Sequence, residues 1–359
     1  MGIQKLVIDG YRGIDHFEYE PNMINVLVGR NGTGKSSILE AIAIVYTAPV
    51  GFSDRLDNNV LGELIMADRW WDLEYFVNLR RGDKRFRLTA VKGGAEINVD
   101  ATYKEGGTAE VPEPIRDLVE EFFSEEENGA LPPDELRRLT SEALEGPLLF
   151  GRAEPGGVHF VVISSNLATV TTKVPGSSDL IFYANCRFRW PFTDIKWLYD
   201  MLEESGRAYR FVNYLRRHIP YFADLRSGEE ELWVSFENLV RPLPLSMMGD
   251  GMVEVIRQLV LVDLVPGGVL LVDGLPYNAH PAFYEVLAER LFEAALEERT
   301  QVFISTQNLE FVERLLKTGG ELVNLVRLYR IRDELAYEVL SCGEALEELD
   351  ELRIDLRGP

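Results

Sequence analysis

The stretch Gly29-Arg30-Asn31-Gly32-Thr33-Gly34-Lys35-Ser36 limits what this chain can fold into more than any other. It fits G-x-x-x-x-G-K-[ST], the Walker A or P-loop pattern. Its glycines let backbone N–H groups wrap a polyphosphate with no Cβ in the way. Lys35 is long enough to reach β- and γ-phosphates, and the Ser36 hydroxyl is a hard oxygen ligand for Mg²⁺. The flanks agree with the motif. Ile24-Asn25-Val26-Leu27-Val28 is short, apolar and β-branched, as a buried parallel strand must be. The segment Ser37 to Ile44 is helix-prone and aims its N-terminal dipole at the same place. The backbone from Asn31 to Ser37, with Thr33 inside it, is therefore the expected phosphate cradle.

Composition narrows the partners. The net charge of −22 rules out a basic coat over the whole surface, so any nucleic-acid contact must be local. No apolar run reaches the length of a membrane span. Met1 to Leu6 enters a strand pattern at once, with no signal-peptide layout. The two cysteines, Cys186 and Cys342, match no metal or redox spacing. A reducing cytoplasm is the expected compartment.

Along the chain, residues 3–9 and Phe17-Glu18-Tyr19-Glu20 alternate as antiparallel strands ahead of the P-loop strand. Trp70–Leu79 and Phe86–Val91 are predicted strands around the turn Arg81-Gly82-Asp83-Lys84. Residues 96–180 are predicted as an insertion: a strand pair at 96–104, a helix from Pro114 to Glu127, a short helix to Ala143, and apolar runs at His159–Ser164 and Ala168–Val174. No heptad series exists there. Asp179–Asn185 is a strand, 194–218 is helical with a break near Gly206, and Leu232–Phe236 is a strand. Met252–Val265 and Ala282–Glu298 are helices, and Gly268–Asp273 and Gln301–Thr306 are buried strands. Glu321–Arg330 with Leu335–Leu340 forms a closing hairpin before an acidic tail.

Leu270-Leu271-Val272-Asp273, four residues ending in an acid after an apolar run, is a Walker B pattern whose Asp supports Mg²⁺ opposite Ser36. Upstream, Pro244 to Gly251 offers the Ser246 hydroxyl, free backbone N–H groups and a helix start, all suited to phosphate. The plainer role for that stretch is a helix cap by Ser246 or Asp250.

The order of these parts resembles the ABC-type ATPases of the RecF/SMC branch, most of all small RecF-like AAA family ATPases without a coiled coil. The resemblance covers residues 1–48 and 230–315, and more loosely Ile181 to Phe188. Leu6 to Ile14, with Arg12 at its centre, resembles the family opening. Leu245-Ser246-Met247-Met248-Gly249-Asp250-Gly251 resembles the signature, and Asn278-Ala279-His280-Pro281 the D-loop. The resemblance implies ATP and Mg²⁺ as ligands. It implies nucleotide contacts from Arg12, Gly29, Asn31, Gly32, Thr33, Gly34, Lys35, Ser36 and Ser37, with Ser36 and Asp273 on the metal. It also implies a head-to-tail homodimer, in which Ser246 and Gly249 of one copy close over ATP on the other. The implied context is DNA repair or anti-phage defence, with a nuclease or other effector as partner.

Two positions depart from the family. Gly274 stands where a Glu orients the attacking water, and Gln307 where a His senses the γ-phosphate. Gln can hydrogen-bond phosphate or water but cannot act as a base. Lys35, Asp273 and Gln307 remain as the catalytic set, and hydrolysis is expected to be slow or absent. A non-enzymatic, nucleotide-gated scaffold is the competing reading. A nuclease of the related OLD type needs a further acidic domain, for which 359 residues leave too little chain. No Q-loop glutamine stands out; Asp57-Asn58-Asn59 is the nearest candidate.

The predicted fold is α/β: a P-loop sheet of ABC/RecF type, an antiparallel β subdomain and an inserted, partly helical lid. Its parts are 1–95 and 231–345 for the ATPase, 96–180 for the lid, 181–230 for a helical subdomain and 346–359 for the tail. Nucleic acid, if bound, is expected on stretches that interleave Arg with aromatics: Arg80 to Arg87, Arg187-Phe188-Arg189-Trp190, and Arg207 to His218 with Arg210 and Arg217. The plainer reading is Arg paired with Asp and Glu on a solvated face. His16, His159, His218 and His280 have no metal-site spacing, so structural roles are expected. Trp70-Trp71 is expected in the core.

Overall fold

A computed structural model describes residues 2–47, 73–107, 111–125, 132–163, 168–171, 181–185, 192–350, 352 and 354–358. Trp70-Trp71, Asp57-Asn58-Asn59, and Arg187 with Arg189 lie outside the described residues.

Strands β1 (Ile3–Tyr11) and β2 (Ile14–Tyr19) alternate buried and exposed residues, as one-sided sheet strands do. Strand β3 (Ile24–Gly29) is buried at every position. Helix α1 (Lys35–Thr47) follows it. Next come β4 (Arg85–Lys92) and β5 (Ala95–Lys104), then α2 (Glu113–Glu125) and α3 (Pro133–Glu145). Strands β6 (Leu148–Glu154), β7 (Val158–Ile163), β8 (Ala168–Thr171) and β9 (Ile181–Asn185) lead to α4 (Phe192–Glu204) and α5 (Ala208–His218). Strands β10 (Phe222–Ser227), β11 (Leu232–Phe236) and β12 (Leu243–Pro244) precede α6 (Asp250–Asp263). The chain closes with β13 (Val269–Asp273), α7 (Tyr284–Leu296), β14 (Gln301–Thr306), α8 (Leu309–Gly319), β15 (Val323–Ile331), β16 (Glu334–Ser341) and α9 (Cys342–Asp350).

The chain divides into two compact units. The first holds Met1–Pro21, Gly32–Ile181 and Tyr329–Ala336; the second holds Asn22–Asn31, Phe182–Leu328 and Tyr337–Pro359. The first unit carries a seven-stranded antiparallel sheet, in order β2-β1-β4-β5-β6-β7-β8. Helix α1 lies against β1, β4 and β5. Helices α2 and α3 pack together, and Ile115, Leu118, Val119 and Phe123 of α2 share a core with Leu148 and Val161. The segment read as a lid therefore has strands that extend this sheet.

The second unit carries a six-stranded sheet, in order β16-β15-β3-β14-β13-β9, and a small sheet β10-β11-β12. Strands β15, β3, β14 and β13 run parallel. Parallel strands are covered on both faces, so they read as unbroken apolar runs; β3, β13 and β14 are buried throughout.

Some local expectations change. The strand predicted over Trp70–Leu79 is, in its described part, a 3₁₀ turn at Leu73–Phe76 with one bridge from Val77 to Tyr11. Leu73 and Phe76 are buried there, while Tyr75 is exposed. The strand pair at 96–104 is the single strand β5, whose partner is β4 across Gly93-Gly94. Strands β6 and β10 and helix α8 were not predicted at all. Helix α8 carries a plain signal: Asn308 is its N-cap, accepting from the Phe311 N–H at 2.9 Å.

Candidate nucleotide-binding site

The site is built at the carboxyl ends of the parallel strands, where open α/β sheets place their ligands. Strand β3 ends at Gly29 and delivers the P-loop directly. The pairing register sets Asp273 level with Ser305, and Ser305 level with Leu27, so the end of β13 stands in line with the end of β3.

Within the P-loop, Lys35 and Thr33 are buried. Gly34 has φ +97, a conformation that side chains rarely adopt, and its carbonyl accepts from the Ile38 N–H at 3.0 Å, which starts α1. The Gly32 carbonyl accepts from Arg330 Nε at 3.1 Å. Arg330 also donates to the Gly13 carbonyl at 3.1 Å and the Asp333 carbonyl at 2.6 Å. Arg80 donates to that same Asp333 carbonyl at 2.5 Å. Arg330 thus ties the tip of the β15–β16 hairpin to the loop. Sequence reading missed it, because an Arg at the end of a strand carries no motif.

Arg12 has φ +50 and its N–H donates to the Phe76 carbonyl at 3.0 Å. Its guanidinium pairs with the buried Glu40 of α1 at 2.8 Å. The residue expected at nucleotide therefore also fixes the P-loop helix. Beside it, Tyr11 is fully buried, and burial holds its phenol well above the ordinary value.

In the second unit, Asp273 is fully buried. The Ser305 hydroxyl donates to its Oδ1. The Gly274 N–H in turn donates to Ser305 Oγ at 3.0 Å and to the Ser305 carbonyl at 3.1 Å. A neutral hydroxyl orients the carboxylate while adding no positive charge to it. Gln307 Nε2 donates to Asn31 Oδ1 at 2.5 Å, so the residue in the sensor position touches the P-loop. Gly274 has φ +93, and a side chain there is strained.

The signature stretch forms a 3₁₀ turn at Leu245–Met247, ahead of α6. Gly249 is the N-cap of α6, and its carbonyl accepts from Met252 N–H at 2.9 Å. Neither Ser246 nor Asp250 caps the helix. Ser246 instead donates its N–H and its hydroxyl to the Glu231 carboxylate, at 2.8 and 2.9 Å. Further along α6, Gln258 Nε2 donates to the carbonyl of Tyr277, the residue before Asn278, at 2.9 Å. His280 accepts from the Ala282 N–H at 3.2 Å, a capping role.

Among the described residues, no group of three or more His, Cys, Asp or Glu side chains is arranged to hold a metal. His16 pairs with Asp9 at 2.7 Å, and His218 stacks on Tyr214 with centroids 4.3 Å apart. Most described members of the Arg stretches are engaged within the chain, and Arg85 is exposed. Arg81 donates to the Asp15 carbonyl at 2.5 Å, Lys84 pairs with Glu105, and Arg87 pairs with Asp100 at 2.5 Å. Arg207 and Arg210 meet Glu298 at 3.0 and 3.1 Å, and Arg216 donates to the Ala223 carbonyl at 2.6 Å. Arg217 lies 5.6 Å from the Tyr214 ring centroid.

A P-loop at the end of a buried parallel strand, with an acid ending the strand two places along the sheet, defines the class of P-loop nucleotide-binding folds. Comparison with known proteins narrows the class. Residues 1–86 match the AAA ATPase domain family. The chain is 33% identical over 129 residues to the DNA replication and repair protein RecF of a Shewanella species (strain MR-4), covering 34% of this chain and 34% of that protein. It is 29% identical over 115 residues to an uncharacterised protein of Methanocaldococcus jannaschii, covering 31% of this chain and all of that one. The matched part thus spans about a third of the length of RecF and the whole of the archaeal relative. Among solved structures, an Smc head bound to the C-terminal winged-helix domain of ScpA aligns over 96% of this chain and 100% of that one, with TM-score 0.51 and 13% identity, a likeness of fold. These likenesses support a P-loop fold of the RecF/SMC kind, with the AAA ATPase domain match confined to residues 1–86. No described helix is long and apolar enough to cross a membrane.

Proposed function

We propose that the chain binds Mg-ATP through the P-loop and dimerises around it, with hydrolysis slow or absent. The observation that carries this reading is Gly274. It follows the Walker B Asp273 directly, has no side chain, and holds φ +93. A positioned general base contributes about 10²–10⁴ in rate. Gln307 has no suitable acid–base chemistry to replace it.

The residues present suit the ligands. The Ser36 hydroxyl and the Asp273 carboxylate are hard oxygen donors of the kind Mg²⁺ takes, and each is proposed as a metal ligand. Bound Mg²⁺ supplies charge neutralisation at the phosphates. Lys35 holds the β- and γ-phosphates, and the backbone from Asn31 to Ser37 donates to their oxygens. Gln307, which donates to Asn31, is proposed to hydrogen-bond phosphate or water. Ser246 and Gly249 act on the nucleotide of a second copy.

DNA repair or anti-phage defence is the proposed setting, with an effector or nuclease as partner. The likeness to RecF supports the first, and the ScpA domain on the Smc head is a precedent for a protein partner. DNA contact through Arg81, Arg87, Arg207 or Arg210 would have to displace the pairs that already engage them. The lack of an acid at 274 also favours a second reading, a nucleotide-gated scaffold that never turns over. One phosphate-release assay, with and without DNA, bears on both: slow turnover in either condition excludes the scaffold, and none in both favours it. Turnover of about 1 s⁻¹ or faster, in the ordinary enzyme range, would overturn the reading of Gly274.

A further inference from the structure

The signature serine is already occupied by part of its own chain. In the small sheet, Val234 pairs with Leu243 and Trp233 with Pro244. Continued by two residues, that register sets Leu232 opposite Leu245 and Glu231 opposite Ser246. The Leu pair is fully buried. The Glu231–Ser246 pair falls on the other face, as alternation requires, and Ser246 is exposed there. Both Glu231 oxygens are used: Oε2 accepts from the Ser246 N–H at 2.8 Å and Oε1 from the Ser246 hydroxyl at 2.9 Å. An ionised carboxylate is acceptor-only, with two oxygens on a negative group. It meets the same two donors that a γ-phosphate of a second copy would need.

We infer that Glu231 is an autoinhibitory stand-in for phosphate, which keeps the signature closed until ATP on a second copy displaces it. The inference rests on the proposed ATP dimer. The side chain can leave without cost to its own hairpin. The turn is closed by the backbone, with the Gly228 N–H donating to the Glu231 carbonyl at 3.0 Å. Charge acts in the same direction. Glu229, Glu230 and Glu231 are consecutive, so an approaching nucleotide meets like charge until the carboxylate swings away. Glu231 thus sets the ATP level at which dimers form, and leaves ATP binding by the monomer alone.

The test uses the full chain as wild type, Glu231→Gln and Glu231→Ala. Light scattering follows mass during a Mg-ATP titration, and calorimetry reports ATP affinity under conditions that keep the protein monomeric. The expected result is a dimerisation midpoint at least about tenfold lower in ATP for Glu231→Ala, with Glu231→Gln between it and wild type. Monomer affinity should be equal in all three. Equal midpoints, or a higher midpoint in Glu231→Ala, would overturn the inference while the dimer stands; Glu231 would then merely position Ser246. If every variant binds ATP and none dimerises at any concentration, the dimer reading fails and this inference fails with it. A dimer formed only by the variants is the strongest support.

Discussion

The six-stranded and seven-stranded sheets keep their polar residues in different places. In the seven-stranded sheet, charged residues pair across strands on the exposed face: Lys5 with Glu18 at 2.5 Å, His16 with Asp9 at 2.7 Å and Arg87 with Asp100 at 2.5 Å. Its other face is apolar, with Leu6, Ile8, Leu88 and Val99 fully buried. In the covered strands β3, β13 and β14 of the six-stranded sheet, buried polar residues sit at the strand ends: Asn25 and Gln301 at the amino ends, and Asp273, Ser305 and Thr306 at the carboxyl ends, followed by Gln307. An antiparallel sheet with one wet face can place a charge at every second residue. A parallel sheet covered on both faces has no such place, so its chemistry is pushed to the strand ends. The difference separates polar residues that keep a surface soluble from those that can meet a ligand.

The largest expected effect tests the covered sheet. Leu271 is fully buried in β13, so Leu271→Ala should cost about 2–5 kcal/mol of unfolding free energy in a urea titration. A loss below 1 kcal/mol would mean that this strand is not packed on both faces; that bound is about the floor for a collapsed site.

Next comes the strand end itself. Gly274→Ala and Gly274→Glu should both lose about 1–3 kcal/mol, because the strain begins with the Cβ at φ +93. A Gly274→Ala protein as stable as wild type would show that the backbone relaxes without cost. Gly274→Glu would then be a fair test of the missing acid, and its phosphate release should rise at least about tenfold.

Lys35→Ala should weaken ATP binding at least about tenfold, or roughly 1.4 kcal/mol, since the charge on the phosphates is gone. Calorimetric titrations that match wild type would remove the P-loop from the site. The smallest effect belongs to the exposed face of the antiparallel sheet. Arg87→Ala should change stability by only about 0.2–1 kcal/mol, and less at high salt. A loss as large as that of Leu271→Ala would abolish the contrast between the two sheets.

The elements legible in the sequence were those with a local signal. Strands β3, β13 and β14 were readable as uninterrupted apolar runs, and the break at Gly206 between α4 and α5 as a helix stop. Strand β6 was missed because Phe150-Gly151-Arg152 breaks the alternation. A Cβ at Gly151 would collide with the Asp100 carbonyl, a cross-strand reason invisible along the chain. Trp70–Leu79 misled in the opposite sense: in its described part, Phe76 packs from a 3₁₀ turn rather than a strand.

What the sequence alone determined is the P-loop, the Walker B acid, the glycine that follows it and the order of the parts. These are short-range patterns, and their chemistry is carried by residue type and spacing. The tertiary structure decided the partners: Ser305 on Asp273, Gln307 on Asn31, Arg330 on the Gly32 carbonyl and Glu231 on Ser246. Ser305 and Asp273 are 32 residues apart, and Gln307 and Asn31 are 276 apart. Such pairs depend on strand register and on which elements neighbour one another. Both are set by the packing of the whole unit, and a one-residue slip between β13 and β14 would turn Ser305 and Asp273 to opposite faces.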